Sequence, residues 1–263
     1  MGRFDRQSFL GKDSQKKIES ARIAILGLGG GGSHIVQQLA HIGCRHFVIL
    51  DPDRVEDTNL NRLVGASVDD VKRSRLKVEI AERVIRNLCP DAEIQAFPKK
   101  WQEHLDALKK CDLIFGCIDS FMQRRDLEAF SRRFLIPYID IGMDVHCIPD
   151  CPPRIAGQII LSMPGCLCMH CMGYLTEKTL AIEGARYGDA GSNPQVVWCN
   201  GVLASTAIGI AVDLISNWST SLKEAIYLSY DGNTNTITPD NRMQYIKNNI
   251  CNHYPLNNTG EAF

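Results

Sequence analysis

Short apolar segments alternate with amphipathic ones along the first half of the chain. Apolar residues recur every four positions at Leu76, Ile80, Val84 and Leu88, which is the spacing of one buried helix face. The short segments between such stretches are typical of strands in a sheet that is covered on both faces. The predicted strands are Arg22–Leu26, His46–Asp51, Glu93–Phe97, Asp112–Cys117 and Pro137–Ile141, and the predicted helices cover about 13–20, Gly32–His41, 74–87, 101–109 and 120–133.

The pattern changes after the fifth predicted strand. Ala156–Ser162 has strand character but no crossover helix before it, so we expect it to run antiparallel. A long apolar helix follows at Val196–Trp218, and the strands Ala225–Tyr230 and Thr234–Thr238 flank a turn that predicts a hairpin. The predicted fold class is therefore α/β: a doubly wound, Rossmann-like parallel sheet with antiparallel C-terminal strands and a long C-terminal helix.

Composition and charge limit the possible partners. Of the 263 residues, 44% are hydrophobic and 22% are charged, which is typical of a soluble globular protein. The formal net charge of −1 argues against nucleic acid and anionic membrane surfaces as partners. The longest apolar run, Gly201–Val212, has 12 residues, too few to span a bilayer. The chain has eleven cysteines, and its polar N-terminal residues do not resemble a secretory signal. Together these features predict reduced thiols and a cytoplasmic location.

A glycine-rich segment after the first predicted strand indicates a nucleotide site. Gly27, Gly29 and Gly32 follow that strand in the order G-x-G-x-x-G, and Ser33 leads into a helix. Glycines let backbone N–H groups approach a phosphate closely, in front of the positive end of the helix. Asp51 stands 19 residues beyond Gly32, at the end of the second strand, where a carboxylate can hold a ribose. Taken alone, these features favour a dinucleotide enzyme.

Charged residues further along favour a triphosphate over NAD. The stretch Asp51–Arg62 contains carboxylates, amides and an arginine, and Lys77 lies on the next predicted helix. A dehydrogenase does not need these cations, whereas the charge of a leaving pyrophosphate must be neutralised. Asp119 follows the fourth strand, at the edge where open α/β sheets bind ligands, and its carboxylate suits Mg²⁺.

In this order, the motifs resemble the ThiF/MoeB/HesA family, the bacterial relatives of the ubiquitin-activating enzymes. The family pattern is G-x-G-G-x-G-S, then D-x-D-x-V, N-L-x-R, a lysine and C-x-D. The matching segments are Gly27–Ser33, Asp51–Val55, Asn59–Arg62, Lys77 and Cys117–Asp119. The resemblance covers residues 1 to about 230, which is most of the chain.

The resemblance implies a single adenylation domain over residues 1–263. Residues 1–20 would form an N-terminal arm and helix, 21–145 the nucleotide-binding half, and 146–238 the substrate-binding half. We expect a mobile crossover loop at about 174–195 within the second half, and a loosely held tail at 239–263.

Members of the family adenylate the C-terminal carboxylate of a small protein, usually one that ends in Gly-Gly. The resemblance implies that this carboxylate attacks the α-phosphate of ATP and that pyrophosphate leaves. The residues that it assigns to ATP and Mg²⁺ are Gly27, Gly29, Gly30, Gly32 and Ser33 around the phosphates, Asp51 at the ribose with Asp53 beside it, Asn59, Arg62 and Lys77 at the polyphosphate, and Asp119 at Mg²⁺.

The opening Arg3-Phe4-Asp5-Arg6-Gln7 resembles the R-Y-x-R-Q opening of the family. In the family, the second arginine reaches the ATP of the other subunit in a homodimer. The resemblance therefore makes Arg6 a candidate arginine finger and the chain a candidate homodimer. The alternative is an ordinary solvated N-terminal arm.

Many members of the family use a C-x-x-C pair as half of a zinc site, and Cys168 and Cys171 have this spacing. The usual second pair near the C-terminus is missing, and the tail offers Cys251 and His253 instead. Cys168, Cys171, Cys251 and a fourth ligand, either Cys166 or His253, would complete a zinc site. The alternative is a metal-free loop with reduced thiols.

Cys199 matches a position at which some members carry a cysteine that forms a thioester or an acyl-disulfide. Its predicted place at a helix N-terminus would favour the thiolate. The alternative is a cysteine packed beside Trp198. A transfer step would also imply a conjugating enzyme as a further partner.

Several functions stay open at this point. We expect activation of a ubiquitin-like or sulfur-carrier protein, in a bacterial ubiquitin-like conjugation or accessory system. Sulfur-carrier activation in thiamine or molybdopterin biosynthesis is an alternative with the same chemistry. An NAD-binding oxidoreductase and a non-catalytic half of a heterodimeric activator are alternatives of other kinds, and Arg62, Lys77 and Asp119 argue against both.

Overall fold

The described strands, eight in number, form one sheet with helices on both of its faces. The computed structural model describes residues 2–147, 149–185, 194–219, 226–246, 250–255 and 257–260, without the side chains of 182–185. The strands are β1 (Arg22–Leu26), β2 (His46–Leu50), β3 (Glu93–Phe97), β4 (Leu113–Gly116), β5 (Tyr138–His146), β6 (Arg154–Ser162), β7 (Ile226–Asp231) and β8 (Thr236–Pro239).

The strand order is β3-β2-β1-β4-β5-β6-β7-β8. Strands β3, β2, β1, β4 and β5 pair in parallel. Strands β6, β7 and β8 continue the sheet with antiparallel pairs, as the sequence predicts. Strands β2 and β4 pair with β1 on its two opposite sides. The direction in which successive strands are added to the sheet therefore reverses between β1 and β4. In doubly wound sheets a ligand binds in the crevice at this point, outside the carboxyl ends of the strands.

The described helices are α1 (Ser14–Ser20), α2 (Gly30–Ile42), α3 (Val68–Lys72), α4 (Lys77–Leu88), α5 (Leu105–Leu108), α6 (Phe121–Arg133), α7 (Glu177–Ala185) and α8 (Val197–Ser216). Short 3₁₀ helices cover Asp5–Leu10, Asp57–Asn59, Trp101–Glu103 and Asn241–Tyr245. The long C-terminal helix and the antiparallel hairpin of β7 and β8 confirm these parts of the predicted fold class.

Two apolar cores cover the two faces of the sheet. Ile25 of β1 belongs to one core together with Leu203 of α8, and helices α2 and α4 add to it. Its neighbour Leu26 belongs to the other core, together with Leu127 of α6 and Met169 of the cysteine-rich segment. Successive strand residues point to opposite faces, so both faces need apolar residues, and this explains the continuous apolar strands.

Two helices differ from the prediction in extent. The helix predicted at 74–87 begins at Lys77, because Ser74 adopts a φ of +47° and the Glu79 carboxylate accepts the N–H of Leu76 before the first turn. The helix predicted at 101–109 is divided at His104 into a 3₁₀ turn and the short α5.

The segment predicted as a crossover loop contains helix α7. Reciprocal hydrogen bonds begin this helix, since the Thr176 N–H donates to Thr179 Oγ1 at 2.9 Å and the Thr179 N–H donates to Thr176 Oγ1 at 3.2 Å. Residues 186–193 of the predicted loop lie outside the described residues. The prediction missed α7 because its residues lack an amphipathic period.

The described part of the tail is anchored rather than loosely held. Arg242 forms an ion pair with Asp240 at 2.8 Å and donates to the carbonyl oxygen of Gly173 at 2.8 Å. Further along, Arg133 Nε donates to the carbonyl oxygen of Gly260 at 2.7 Å. The tail therefore packs back on the cysteine-rich segment and on the end of α6.

Helix α8 is the one described helix that is long and apolar enough to cross a membrane by those two criteria. It has 20 residues, because it continues past Asp213, which ends the apolar run in the sequence. Leu203, Ala207 and Ala211 are fully buried in the first core. Its place in that core explains its apolar composition.

Candidate active site

The carboxyl ends of β1, β2, β4 and β5 open onto a cavity of about 300 Å³. Its lining combines glycines, carboxylates and cations, which are the groups that bind a phosphate ester and a ribose. Among the predicted site residues, those that line it are Gly27, Gly29, Gly30, Asp51, Asp53, Asn59, Arg62, Lys77 and Asp119. The fold thus brings five separate motifs to the point where the strand order reverses.

Close backbone contacts explain the glycines between β1 and α2. At Gly27 φ is +86°, and a Cβ there would lie 2.3 Å from the carbonyl oxygen of Cys117. At Gly32 a Cβ would lie 1.9 Å from the carbonyl oxygen of Gly27, so α2 packs directly on the loop. At Gly29 no described atom lies within 4 Å of the Cβ position. A phosphate can use this open space to approach the N–H groups of the first turn of α2.

Asp51 is held rigidly at the end of β2. Its Oδ2 accepts the N–H of Leu28 at 2.6 Å and its Oδ1 accepts the N–H of Asp53 at 2.9 Å. Burial raises the pKa of this carboxyl, and Lys77 with the two backbone donors offsets part of that rise. Each oxygen keeps a further lone pair, so the carboxylate can accept ribose hydroxyls beside the glycine loop.

Lys77 is the first residue of α4, and its ammonium group points back to the same edge of the sheet. Its Nζ lies 2.7 Å from Asp53 Oδ2 and 3.8 Å from Asp51 Oδ1. Its backbone N–H donates to the carbonyl oxygen of Asp53 at 3.0 Å, which fixes the start of the helix. The cation therefore lies beside two carboxylates that line the cavity.

The segment that contains Asn59 and Arg62 forms the wall next to Lys77. Asn59 is buried, and its Oδ1 accepts the N–H of Glu56 at 3.1 Å, which shapes the turn. Arg62 Nη1 donates to the carbonyl oxygen of Thr58 at 2.6 Å and to Asn61 Oδ1 at 3.0 Å. Both acceptors are neutral, so the guanidinium charge is available to a phosphate.

Asp119 lies at the end of β4, immediately before α6. Ser120 caps this helix, since its Oγ accepts the N–H of Gln123 at 3.3 Å. This cap fixes the segment that carries Asp119 at the start of the helix. The Asp119 carboxylate is exposed to the cavity and is an oxygen ligand of the kind that Mg²⁺ prefers.

Three of the residues predicted to act on ATP lie outside the lining of the cavity. Gly32 and Ser33 support it from behind, because Gly32 packs on the loop and Ser33 Oγ accepts the N–H of Val64 at 3.0 Å. This bond ties α2 to the wall that carries Arg62. Arg6 is exposed on the 3₁₀ helix near the N-terminus, away from the cavity of its own chain.

Cys199 lies in the first turn of α8, as predicted, but its thiol faces the core. The residue is fully buried, and the Tyr230 hydroxyl donates to its Sγ at 3.6 Å. A thiol that accepts an acyl group must meet the adenylated carboxylate, and Cys199 does not line the cavity. This position matches the packed cysteine that the sequence left as the alternative.

The cavity also contains residues that the sequence analysis did not select. The additional polar and aromatic residues are Lys99, Lys100, Trp101, Gln123, Gln195 and Asn200. Some follow from topology, since the segment after β3 and the first turn of α6 must end at the same edge of the sheet. No sequence signal marks Asn200, because it stands alone in an apolar helix.

A second cluster joins the cysteine-rich segment to the tail. Ligand atoms of Cys168, Cys171, Cys251 and His253 all lie within 4.8 Å of one another. Around a tetrahedral Zn²⁺ with Zn–S bonds of about 2.3 Å, two sulfur atoms are about 3.8 Å apart. The Sγ atoms of Cys171 and Cys251 are 3.8 Å apart, and His253 Nδ1 lies 3.2 Å from the former. Three thiols and an imidazole at these distances fit zinc.

The fourth member of this cluster is His253 rather than Cys166. The described residues that meet there do not include Cys166, whose carbonyl oxygen instead accepts a hydrogen bond from Arg132 at 2.8 Å. Spacing alone could not decide between them, because Cys166 is near Cys168 in sequence and His253 approaches only through the fold of the tail.

The sequence matches the model of the ThiF family over residues 4–252. The chain belongs to the ThiF family. The glycine loop, the segment of Asn59 and Arg62, Lys77 and Asp119 line one cavity in this member of the family.

Two curated relatives and one solved structure illustrate the range of this family. The chain is 26% identical to ubiquitin-like modifier-activating enzyme 5 of Xenopus laevis over 240 residues, 83% of this chain and 56% of the relative. It is 26% identical to the sulfur carrier protein ThiS adenylyltransferase of Bacillus subtilis over 201 residues, 72% of this chain and 54% of the relative.

The chain spans about half the length of these curated relatives. The crystal structure of E. coli MccB with ATP shares its fold with a TM-score of 0.74 at 22% identity, over 92% of this chain and 72% of that one.

Proposed function

We propose that this protein is an adenylyltransferase that activates the C-terminal carboxylate of a small protein with ATP. The observation that carries the proposal is one cavity in which a glycine loop, the carboxylate of Asp51 and cations that include Arg62 and Lys77 meet the exposed carboxylate of Asp119. A glycine loop with an acidic residue would also serve NAD. The cations Arg62 and Lys77 suit a leaving pyrophosphate and have no role in hydride transfer.

The reaction needs positioning and charge stabilisation rather than side-chain chemistry. The substrate carboxylate attacks the α-phosphorus of ATP, the bond from that phosphorus to the bridging oxygen breaks, and pyrophosphate leaves with the electron pair. Asp51 would hold the ribose and the first turn of α2 would bind the phosphates. Arg62 and Lys77 would stabilise the charge of the departing pyrophosphate.

Asp119 would hold Mg²⁺ beside these phosphates, and the ion would supply further neutralisation of their charge. The residues present fit this role, because an exposed carboxylate stands at the edge of the cavity with the capped α6 behind it. We propose the Cys168, Cys171, Cys251 and His253 cluster as a structural zinc site, because all four ligands come from the protein and none faces the cavity.

The proposed substrate is a ubiquitin-like or sulfur-carrier protein that ends in Gly-Gly. Relatives whose names state each kind of substrate support the class: a ubiquitin-like modifier for one and a sulfur carrier for the other. We propose a bacterial conjugation or accessory system as the context, with cofactor biosynthesis as the alternative. Because Cys199 is buried, the acyl group would pass to a thiol on another protein, such as a conjugating enzyme.

We propose that the active form is a homodimer in which Arg6 of one copy reaches the cavity of the other. Arg6 is exposed and does not line the cavity of its own chain, which supports a role between subunits. A non-catalytic half of a heterodimer is disfavoured, since Arg62, Lys77 and Asp119 are all present and gathered in one cavity.

ATP–pyrophosphate exchange tests the proposed reaction. We expect exchange that requires Mg²⁺ and a small protein ending in Gly-Gly, and that falls by at least about 100-fold in Asp119→Ala. Asp126→Ala is a matched control, because Asp126 is an exposed carboxylate on α6 outside the cavity. Exchange that is unaffected by Asp119→Ala, or NAD binding in place of ATP binding, would contradict the proposal.

A further inference from the structure

Asn200 is a buried polar residue on an otherwise apolar helix face. It lies in the first turn of α8 and is 5% exposed. Its buried neighbours on the helix are Cys199, Leu203 and Ala204. A leucine would suit such surroundings better, since a buried amide must recover the hydrogen bonds that it loses to water. The presence of an amide here therefore calls for a polar partner.

The amide of Asn200 lies directly against the glycine loop. A Cβ on Gly30 would lie 2.4 Å from Asn200 Nδ2 and 3.2 Å from its Oδ1, so the nitrogen is the nearer atom. Gly30 is the first residue of α2, where the backbone N–H groups point away from the helix. Asn200 thus places a side-chain N–H donor beside the backbone donors that would bind a phosphate.

One hydrogen bond orients this amide and leaves the other N–H unused. Asn200 Nδ2 donates to the carbonyl oxygen of Val196 at 3.1 Å. Within the described part of the chain this is the one hydrogen bond that the side chain makes, although an amide nitrogen can donate two. Asn200 lines the cavity, so a ligand there can accept the second N–H.

The cavity lining combines charged and uncharged groups. Arg62 and Lys77 are cations, whereas Gly142 and Asn200 carry no charge. A phosphate bound by the N–H groups of the first turn of α2 would lie in front of Gly30, where Asn200 lies. With pyrophosphate held by the cations, the entering carboxylate would attack the α-phosphorus in line from the opposite side.

We infer that Asn200 is a catalytic residue whose Nδ2–H group donates to a non-bridging oxygen of the α-phosphate while the carboxylate attacks. This inference rests on the proposed function. The carboxylate oxygen forms a bond to phosphorus, the bond to the bridging oxygen breaks, and pyrophosphate takes the electron pair, so no proton moves. Asn200 stabilises the negative charge that builds up around the phosphorus when the carboxylate approaches the α-phosphate, because both groups are anions.

Two substitutions of Asn200 test this role without a large change in shape. Asn200→Asp removes the donor and adds a negative charge, and Asn200→Leu removes the donor while matching the apolar neighbours in size. We expect kcat for ATP–pyrophosphate exchange to fall by about 100-fold or more in both variants. The KM for ATP should change little in Asn200→Leu, because Asp51, Arg62 and Lys77 still bind the nucleotide.

Asn235→Asp is the matched control, since Asn235 bonds the Tyr230 hydroxyl at 2.9 Å and lies outside the cavity. Thermal unfolding of each variant separates lost folding from lost catalysis. An Asn200→Leu variant with an unchanged Tm and wild-type kcat would overturn the inference and assign Asn200 a packing role. Absence of exchange in the wild-type protein would instead refute the proposed function itself.

Discussion

At the scale of single residues, Lys77 occupies a position that a helix alone does not favour. A cation at the first turn faces the positive end of the helix dipole, which costs a few tenths of a kcal/mol up to about 1 kcal/mol. Asp51 and Asp53 offset this cost through ion pairs at 3.8 and 2.7 Å. The placement is explained by the cavity, because the same ammonium group can turn to a phosphate when a nucleotide arrives.

Asp51 should give nucleotide binding a characteristic pH dependence. Burial raises the pKa of its carboxyl, so it becomes protonated at a higher pH than an exposed aspartate does. A protonated carboxyl accepts ribose hydroxyls poorly, and ATP affinity should therefore fall on acidification. Asp51→Asn should bind ATP more weakly at neutral pH and lack this acid-dependent step, as titration calorimetry over a pH series can measure.

If ATP affinity fell on acidification in the same way in the wild type and in Asp51→Asn, the titrating group would be on ATP or elsewhere in the protein. That result would contradict the assigned role of Asp51. Glu56→Gln provides the control, because Glu56 is an exposed carboxyl of the neighbouring turn that does not line the cavity.

At the scale of elements, different glycines of the loop between β1 and α2 serve the stability of the fold and the binding of a phosphate. Gly32→Ala would place a Cβ 1.9 Å from a backbone oxygen of the loop, which can be relieved only if α2 moves away. We expect the free energy of unfolding to fall by about 1–3 kcal/mol, the usual cost of overpacking. Chemical denaturation monitored by circular dichroism measures this change.

Gly29→Ala is the matched variant with the opposite expectation. The Cβ would enter open space at a φ of −72°, so the free energy of unfolding should stay near the wild-type value. The methyl group would occupy the space through which a phosphate approaches, and ATP affinity should drop. Equal effects of both substitutions on stability, with ATP affinity unchanged in Gly29→Ala, would refute this division of roles.

The strands and most helices could be predicted because their signals are local. The apolar run of β1 reflects a strand that is buried on both faces, and the apolar period of α4 reflects a helix that is buried on one face. Both patterns can be read from the sequence alone. Helix α7 could not be predicted in this way, since it begins through the paired side chains of Thr176 and Thr179 rather than through an apolar period.

The site could be predicted only where it consists of motifs. Asp51 and Asp119 belong to recognisable segments at strand ends, and the fold brings them together as expected. Asn200 enters the cavity through the packing of α8 on α2, a contact between distant segments that leaves no local pattern. The position of Cys199 at a helix N-terminus favoured a catalytic role for its thiol, but Cys199 lies on the buried side of α8 and its thiol faces the core.

At the scale of the whole molecule, the cluster of Cys168, Cys171, Cys251 and His253, proposed above as a zinc site, joins the tail to the body of the protein. Cys168→Ser and His253→Ala should each lower the bound zinc, measured by atomic emission, and lower the Tm, because a structural zinc site contributes directly to folding. Cys166→Ser is the matched control and should retain zinc. Loss of zinc in Cys166→Ser with retention in His253→Ala would contradict the assigned ligand set.

Arg6 offers a test of the proposed homodimer. Arg6→Ala and Asp119→Ala should each be nearly inactive alone, because every cavity lacks one of the two groups. Coexpressed chains form mixed dimers with one cavity that has both groups, and exchange should recover to about a quarter of the wild-type value. Coexpression of Arg3→Ala with Asp119→Ala is the control for the effect of an arginine substitution elsewhere in the N-terminal segment.

No recovery in the Arg6→Ala and Asp119→Ala mixture, although mixed dimers are present by mass spectrometry, would place Arg6 in its own subunit or outside the reaction. Wild-type activity of Arg6→Ala alone would match the solvated arm that the sequence left as the alternative.

Label transfer from ATP tests the central claim most directly. The protein is incubated with Mg²⁺, a small protein ending in Gly-Gly, and ATP radiolabelled at either the α- or the γ-phosphorus, and the small protein is analysed after acid quenching. Adenylation predicts label on the small protein from the α-position alone, and none with Asp119→Ala. Label from the γ-position, or no label from either while ATP is bound, would contradict an activating role for this ThiF-family protein.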